Sequence, residues 1–554
     1  MTDLVILNGK VLTFDGPDAE ALAIKGGLIA AVGTNAEIRA MAGAARVFDA
    51  QGSTVLPGFI DSHVHLFQGA AELEYLDLTG VFGLDALTRA VRAYAAERPD
   101  DVLLYAYAAS YHAMGDRSLT RHDLDDVLPD RPFACMAPDC HTAWANTRAL
   151  ELAGLLQGKA VEEGSEVVMG ADGTATGELR EAGALAPVMK FTPLGGRDME
   201  GSMTGADPIP APTPAQRAID KAVLEKGLRH CASRGITGLH NMDGNLYQLE
   251  LLAELEAEDK LLCRTEVPLH LKHTDPLERL EEAAYMRQTY ASSHLWSSRV
   301  KMFIDGVIEN RTAFMLQPYP GTENRGAPLF SDAHFKEVCT RADAMELQIS
   351  VHACGDAGVR RTLDAYEAAR RANGPRDSRH RVEHIETVSA GDIPRFRELG
   401  VIASMQPLHA PHSSPEAIPE LASLLHNHQI PTAFPSRTLR KSGAKVIFST
   451  DWPVVPVDVM ATIQGAVARQ TLPGGWQDQT HSLRQALAAY TCDGAWAEFN
   501  EHRKGRLRAG MMADVVVMDC DLEAQPADSL STAQAVLTIC GGHVTFEARC
   551  ELLF

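Results

Sequence analysis

The chain has no excess of positive charge. Its 51 Lys and Arg stand against 73 Asp and Glu, a formal charge of −22, which argues against nucleic acid or an anionic membrane surface as a main partner. It has no apolar run near the ~18 residues needed to cross a bilayer. It has no CxxC pair: the ten cysteines are scattered, which disfavours a cysteine-only zinc site and a disulfide framework. The opening Met1 to Leu7 carries no basic stretch ahead of its short apolar run, so it does not read as a secretory signal, and a reduced cytoplasmic protein is expected. Internal repeats and low-complexity tracts are also missing. What is present is an ordinary globular composition, 45% hydrophobic and 22% charged over 554 residues, enough for a large barrel with a smaller satellite.

The first sixty residues are short β-branched runs broken by Asn8-Gly9 and Gly26-Gly27, and the last fifty return to that style at Val515 to Met518 and Ala535 to Ile539. These read as antiparallel strands. Residues 1–56 and 501–554 are therefore expected to form one composite β-sandwich domain. Between them, apolar strands alternate with helical patterns, the texture of parallel βα units. The strand candidates are Thr54 to Ile60, Val102 to Tyr107, Phe133 to Met136, Ile236 to His240, Val300 to Ile304, Leu347 to His352, Arg381 to His384, Val401 to Met405 and Val446 to Ser449. The expected fold is α/β, a (β/α)8 barrel over residues 57–500. The stretch from about 195 to 216, rich in Gly and Pro, reads as an inserted surface loop or lid.

The sharpest chemical signal is Val55-Leu56-Pro57-Gly58-Phe59-Ile60-Asp61-Ser62-His63-Val64-His65. An apolar strand ending in His-x-His places both imidazoles on one face at its carboxyl end, because side chains alternate with period two. Three further strand candidates end in a candidate ligand: His352, His384 and Asp451. In a barrel all such ends face one mouth. Neutral imidazole and carboxylate suit Zn²⁺ or a similar divalent cation, one or two per subunit.

With these residues in place the chain resembles the amidohydrolase superfamily. The shared segments include Leu56 to His65, Asp139-Cys140-His141 through Asn146, Val300 to Gly306, His352 to Asp356, Arg381 to His384, Met405-Gln406-Pro407 and Ser449 to Pro453. More narrowly it is similar to the amidohydrolase-3 group, which includes N-substituted formamide deformylases. The resemblance implies a metal set of His63, His65, His352, His384 and Asp451. It also implies that Lys301, inside an apolar strand, is carboxylated and bridges two cations. The alternatives are an ordinary lysine paired with Asp305 or Asp451, or one contacting substrate. Cys140 stands where the family commonly has glycine.

The nucleophile is assigned to metal-activated water, since Cys140 and Cys354 show no base partner. Asp451 fits as the carboxylate that takes the water's proton and returns it to the leaving nitrogen. His141 is a substrate-contacting or transition-state-stabilising candidate, with a structural histidine as the alternative. Glu383, Asp356 and Arg381 are candidates to orient the histidines, and His240 and His270 read as wall residues. The expected activity is hydrolysis of a non-peptide C–N amide bond, in an N-substituted formamide or a related small-molecule amide. Cyclic amide opening and deamination on the same scaffold are the rivals, and homodimerisation is left open. A catalytically silent regulatory barrel would need a broken ligand set, and here all five positions are filled.

Overall fold

Glycine turns and β-branched runs fold both ends of the chain into strands. The computed structural model describes residues 2–138, 140–162, 164–411, 418–469, 472 and 474–548. Leu4–Leu7 pairs antiparallel with Ala21–Lys25 and parallel with Arg46–Asp49. Ala21–Lys25 turns into Leu28–Gly33 through Gly26 and Gly27, whose φ of 57° and 77° favour residues without a Cβ. A second sheet has the order Lys10–Val11, Thr54–Pro57, Val515–Met518, Ala535–Cys540, His543–Glu547, so strands from both ends of the chain are hydrogen-bonded neighbours. Ile6, Leu22 and Ile24 of the first sheet share one apolar core with Val55, Val517 and Ile539 of the second. Burying each such side chain contributes about 1.5–3 kcal/mol.

The middle of the chain builds two parallel sheets. One aligns Phe59–Val64, Ile236–Asn241 and Arg264–Glu266, with Leu295–Trp296 at its edge. The other runs through Leu269–His270, Arg299–Phe303, Gln348–Ala353, Arg381–His384, Ile402–Met405 and Val446–Phe448. The sheets are linked at two places. Arg264–Glu266 and Leu269–His270 are separated by two residues only. At the far edge Val64 bridges Trp452 in parallel, with Asp451 N donating to His63 O at 2.9 Å and His65 N to Trp452 O at 2.7 Å. Most of these strands are buried along their full length, as strands covered on both faces must be. Among the described residues no helix is long and apolar enough to cross a membrane.

Two expectations are corrected. Val102 to Tyr107 and Phe133 to Met136, read as parallel βα units, lie instead in a separate six-stranded sheet between Leu76 and Arg180. There Phe133–Met136 is parallel to Leu104–Tyr107 but forms an antiparallel hairpin with Thr142–Ala145. A short apolar run does not reveal which sheet it joins. The segment from about 195 to 216 is not loop throughout. Arg197–Met203 is helical and Pro214–Ser233 is a helix capped by Thr213. The short helix forms despite its glycine because Arg197 makes a buried fork to Asp220, at 2.6 and 2.7 Å, so tertiary contact overrides weak propensity. The stretch between the helices carries the most exposed large apolar side chain among the described residues, Ile209, at 94%.

Candidate metal centre

The carboxyl ends of the parallel strands meet at one cavity of about 910 Å³, lined by His65, His141, His352, His384, His409 and Asp451 among others. At its floor one ligand atom each from His63, His384 and Asp451 lie within 4.8 Å of one another, all three residues buried. Asp451 Oδ1 sits 3.2 Å from His63 Nε2 and 3.3 Å from His65 Nε2. The His63 and His384 rings are 4.9 Å apart, and His352 lies 4.5 Å beyond His384. His141 is one ring further out, 6.2 Å from His352. The backbone is turned sharply here: His384, Ile385 and Asp451 have φ of 71°, 53° and 65°. Such non-glycine conformations cost about 1–3 kcal/mol each and cluster at functional sites. Cys140 likewise takes φ 62°, the left-handed form that a glycine would supply without strain. Its neighbour in the motif, Asp139, lies outside the described residues.

The donor set fits a divalent cation. His63 Nε2 and Asp451 Oδ1 are buried with no hydrogen-bond partner among the described residues, a costly arrangement for two polar atoms unless something bridges them. Burial pushes His63 down to about 4 and holds His352 and His384 well below the usual imidazole range, leaving them neutral with lone pairs to offer. Burial alone would raise Asp451, but His63, His65 and His384 hold it well below the usual carboxylate range.

Four of the histidines are oriented from behind, whereas His352 sets its Nε2 3.1 Å from Gly306 O. Glu383 Oε2 meets His63 Nδ1 at 2.9 Å, Asp243 Oδ1 meets His65 Nδ1 at 2.6 Å, Gln406 Oε1 meets His384 Nδ1 at 3.0 Å and Glu181 Oε2 meets His141 Nδ1 at 2.8 Å. Behind Glu383 runs a buried polar chain. Arg381 forks onto Glu383 at 2.8 and 3.0 Å and contacts His240 Nδ1 at 2.9 Å. His240 Nε2 reaches Glu498 at 2.8 Å, and Glu498 pairs with Lys504 at 2.8 Å. His63 is thereby tied to the C-terminal part of the chain.

Three assignments change. His240 belongs to this interior chain, whereas His270 does line the cavity. Asp356 orients no histidine; it accepts from Leu316 N at 2.7 Å and Gln429 Nε2 at 3.0 Å, fastening a loop. Cys354 does touch a base, His352 Nε2 at 3.5 Å, but burial raises its thiol well above the usual range, which leaves it a poor nucleophile. Lys301 has Nζ buried with no hydrogen-bond partner among the described residues and lies 4.5 Å from the Phe303 ring centre. Asp305, offered as its partner, instead accepts backbone N–H groups from Phe314, Cys354 and Gly355.

Asp243, Gln406, Glu181 and His409 were not singled out from the sequence, although Gln406 directly follows a strand and Asp243 stands two residues beyond one. If Asp243 orients His65, Asp243→Asn weakens metal binding by about 10–100-fold. A chelator-competition titration reads this, and an unchanged Kd would remove Asp243 from the centre.

Comparison with known proteins follows the same outline. Residues 46–546 match the sequence profile of the Amidohydrolase family. The N-substituted formamide deformylase of Arthrobacter pascens is 27% identical, with 99% of each chain covered. Protein LONG AFTER FAR-RED 3 of Arabidopsis thaliana is 25% identical over 98% of this chain and 91% of its own. Among solved structures, an uncharacterized metal-dependent hydrolase from Pyrococcus furiosus is 26% identical, with a TM-score of 0.70 over 95% of this chain and 99% of its own.

Proposed function

The chain belongs to the amidohydrolase family of metal-dependent hydrolases acting on C–N bonds, and from that premise we propose that it cleaves an N-substituted formamide or a closely related small amide. The observation that carries this reading is the convergence of His63, His384 and Asp451, with two buried ligand atoms that make no hydrogen bond among the described residues, at the cavity where the strands end. The cavity's apolar wall, including Leu185, Met199, Met203, Phe303 and Leu329, supports an uncharged substituent on nitrogen. So does the likeness to a formamide deformylase. We read the two parallel sheets, linked at these two places, as one closed (β/α)8 barrel, with the sheets of the two chain ends as its satellite sandwich.

His63, His65, His352, His384 and Asp451 would hold the metal, and zinc suits this nitrogen-rich set. Bound there, a divalent cation supplies Lewis acidity that makes water a nucleophile at neutral pH. The chain's own residues do the rest. Asp451, ionised and buried, takes the proton of the attacking water and hands it to the leaving nitrogen. His141, steadied by Glu181, donates toward the carbonyl oxygen as negative charge develops. The walls exclude bulk water and orient the N-substituent. Assay of the zinc-loaded protein against formamides, N-acyl amino acids and cyclic amides tests the reading; preference for either of the last two classes would overturn it.

The unpartnered Nζ of Lys301 supports a carboxylated lysine and a second cation, an arrangement that favours amide hydrolysis over deamination. Lys301→Ala is then expected to bind one metal fewer and to regain part of its lost activity when short carboxylates are added. An unmodified ammonium in a crystal grown at neutral pH with metal and bicarbonate would contradict it.

A further inference from the structure

The Met405-Gln406-Pro407 segment leads to a group that the mechanism above does not use. Beyond the strand Ile402–Met405, Gln406 divides its amide between His384 Nδ1 at 3.0 Å and Ser449 Oγ at 2.9 Å. A single 3-10 turn, Pro407–His409, follows, and His409 N donates back to Gln406 O at 3.1 Å. The turn lays the His409 ring parallel to that of His384, 6.1 Å away with 7° between their planes. His409 lines the cavity. Its Nε2 is buried, without a hydrogen-bond partner among the described residues, and stands 3.8 Å from Asp451 Oδ2, too far for a hydrogen bond. A buried ring nitrogen held in a fixed turn, with no acceptor among the described residues and a cavity in front of it, is a group waiting for a partner.

We propose that His409 is a further catalytic residue, whose Nε2–H donates a hydrogen bond to the substrate's amide nitrogen as its lone pair localises on water addition, ahead of protonation and C–N cleavage; this rests on the reading of amide hydrolysis at the His63–His384–Asp451 centre. Asp451 returns the proton to the leaving nitrogen, so that nitrogen must come within reach of Asp451, and His409 Nε2 is poised over the same carboxylate. In the planar amide the nitrogen lone pair is delocalised and accepts poorly. Once water adds to the carbonyl carbon, the nitrogen becomes pyramidal and its lone pair localises, so the hydrogen bond forms only beyond the ground state. An interaction of that kind raises kcat and leaves KM nearly unchanged. The localised lone pair takes one partner at a time: the His409 hydrogen bond holds it until Asp451 delivers the water's proton to that same pair, the C–N bond then breaks, the amine leaves with that proton, and His409 keeps its own.

The test compares zinc-loaded wild type, His409→Ala and His409→Gln on an N-alkylformamide and on N-(4-nitrophenyl)formamide, whose leaving amine is a far weaker base. On the alkyl substrate His409→Ala is expected to lose about 100-fold in kcat, the scale of one transition-state donor, but less than about fivefold on the nitrophenyl substrate. KM and zinc content stay at the wild-type level, and His409→Gln, which keeps a side-chain N–H, recovers to within about tenfold. Equal losses on the two substrates, no loss on either, or loss of zinc with activity would each overturn the proposal while leaving the functional reading intact. A wild type inactive on both substrates would overturn the two together.

Discussion

Asp451→Asn is expected to lower kcat per bound metal by about 10²–10⁴-fold, the range spanned by loss of a positioned general base. The carboxylate lies within 3.2 to 3.3 Å of His63 and His65, and the surrounding histidines hold it well below the usual carboxylate range although burial opposes them. It is therefore in its basic form at neutral pH, whereas an amide of the same shape cannot take a proton. One donor atom toward the metal survives in asparagine, so occupancy falls less than turnover. Metal analysis of the same samples used for kinetics separates the two effects. A variant retaining more than about a tenth of wild-type turnover per metal would show that another group carries the proton.

His63→Ala is expected to remove both metal and activity and to cost stability as well. The ring supplies Nε2 to the floor of the cavity and Nδ1 to Glu383 at 2.9 Å, and Glu383 is fully buried. Without the ring, Glu383 keeps Arg381 but loses its second partner. Leaving a buried carboxylate one hydrogen bond short typically costs about 1–3 kcal/mol. Urea unfolding of the metal-free proteins isolates that cost from the metal's own contribution. Equal stability of the two apo-proteins would mean that Glu383 finds another partner, and retained metal would mean that His63 is not a ligand.

The candidate ligands, of which His63, His384 and Asp451 come together within 4.8 Å, were legible because their signal is local. His63, His65, His352, His384 and Asp451 each end or closely follow a short apolar run, and the ends of parallel strands share one side of a sheet. Their supports were legible only in part: Glu383, read as a candidate to orient a histidine, does meet His63 Nδ1, but nothing local marked Asp243, because a hydrogen bond between residues 178 positions apart leaves no local pattern. The same limit governs the fold. Leu104–Tyr107 and Phe133–Met136 have the apolar texture of the other parallel strands and do pair in parallel with each other, yet lie in another sheet, where Phe133–Met136 also has Thr142–Ala145 as an antiparallel partner. Arg197–Met203 is helical through an ion pair 23 residues away, which no reading of its glycine content could supply. His409 was hidden for a different reason: a lone histidine in a turn gains meaning only from the unpartnered nitrogen it turns toward Asp451.

The central claim is that this cavity hydrolyses a formamide C–N bond with a metal held by His63, His384 and Asp451. Its most direct test is formate release from an N-substituted formamide by protein stripped with a chelator and then titrated with zinc. The account predicts no turnover in the stripped protein, recovery in proportion to zinc bound, and no recovery in His63→Ala at any zinc concentration that restores the wild type. Full formate release by the metal-free protein would contradict it.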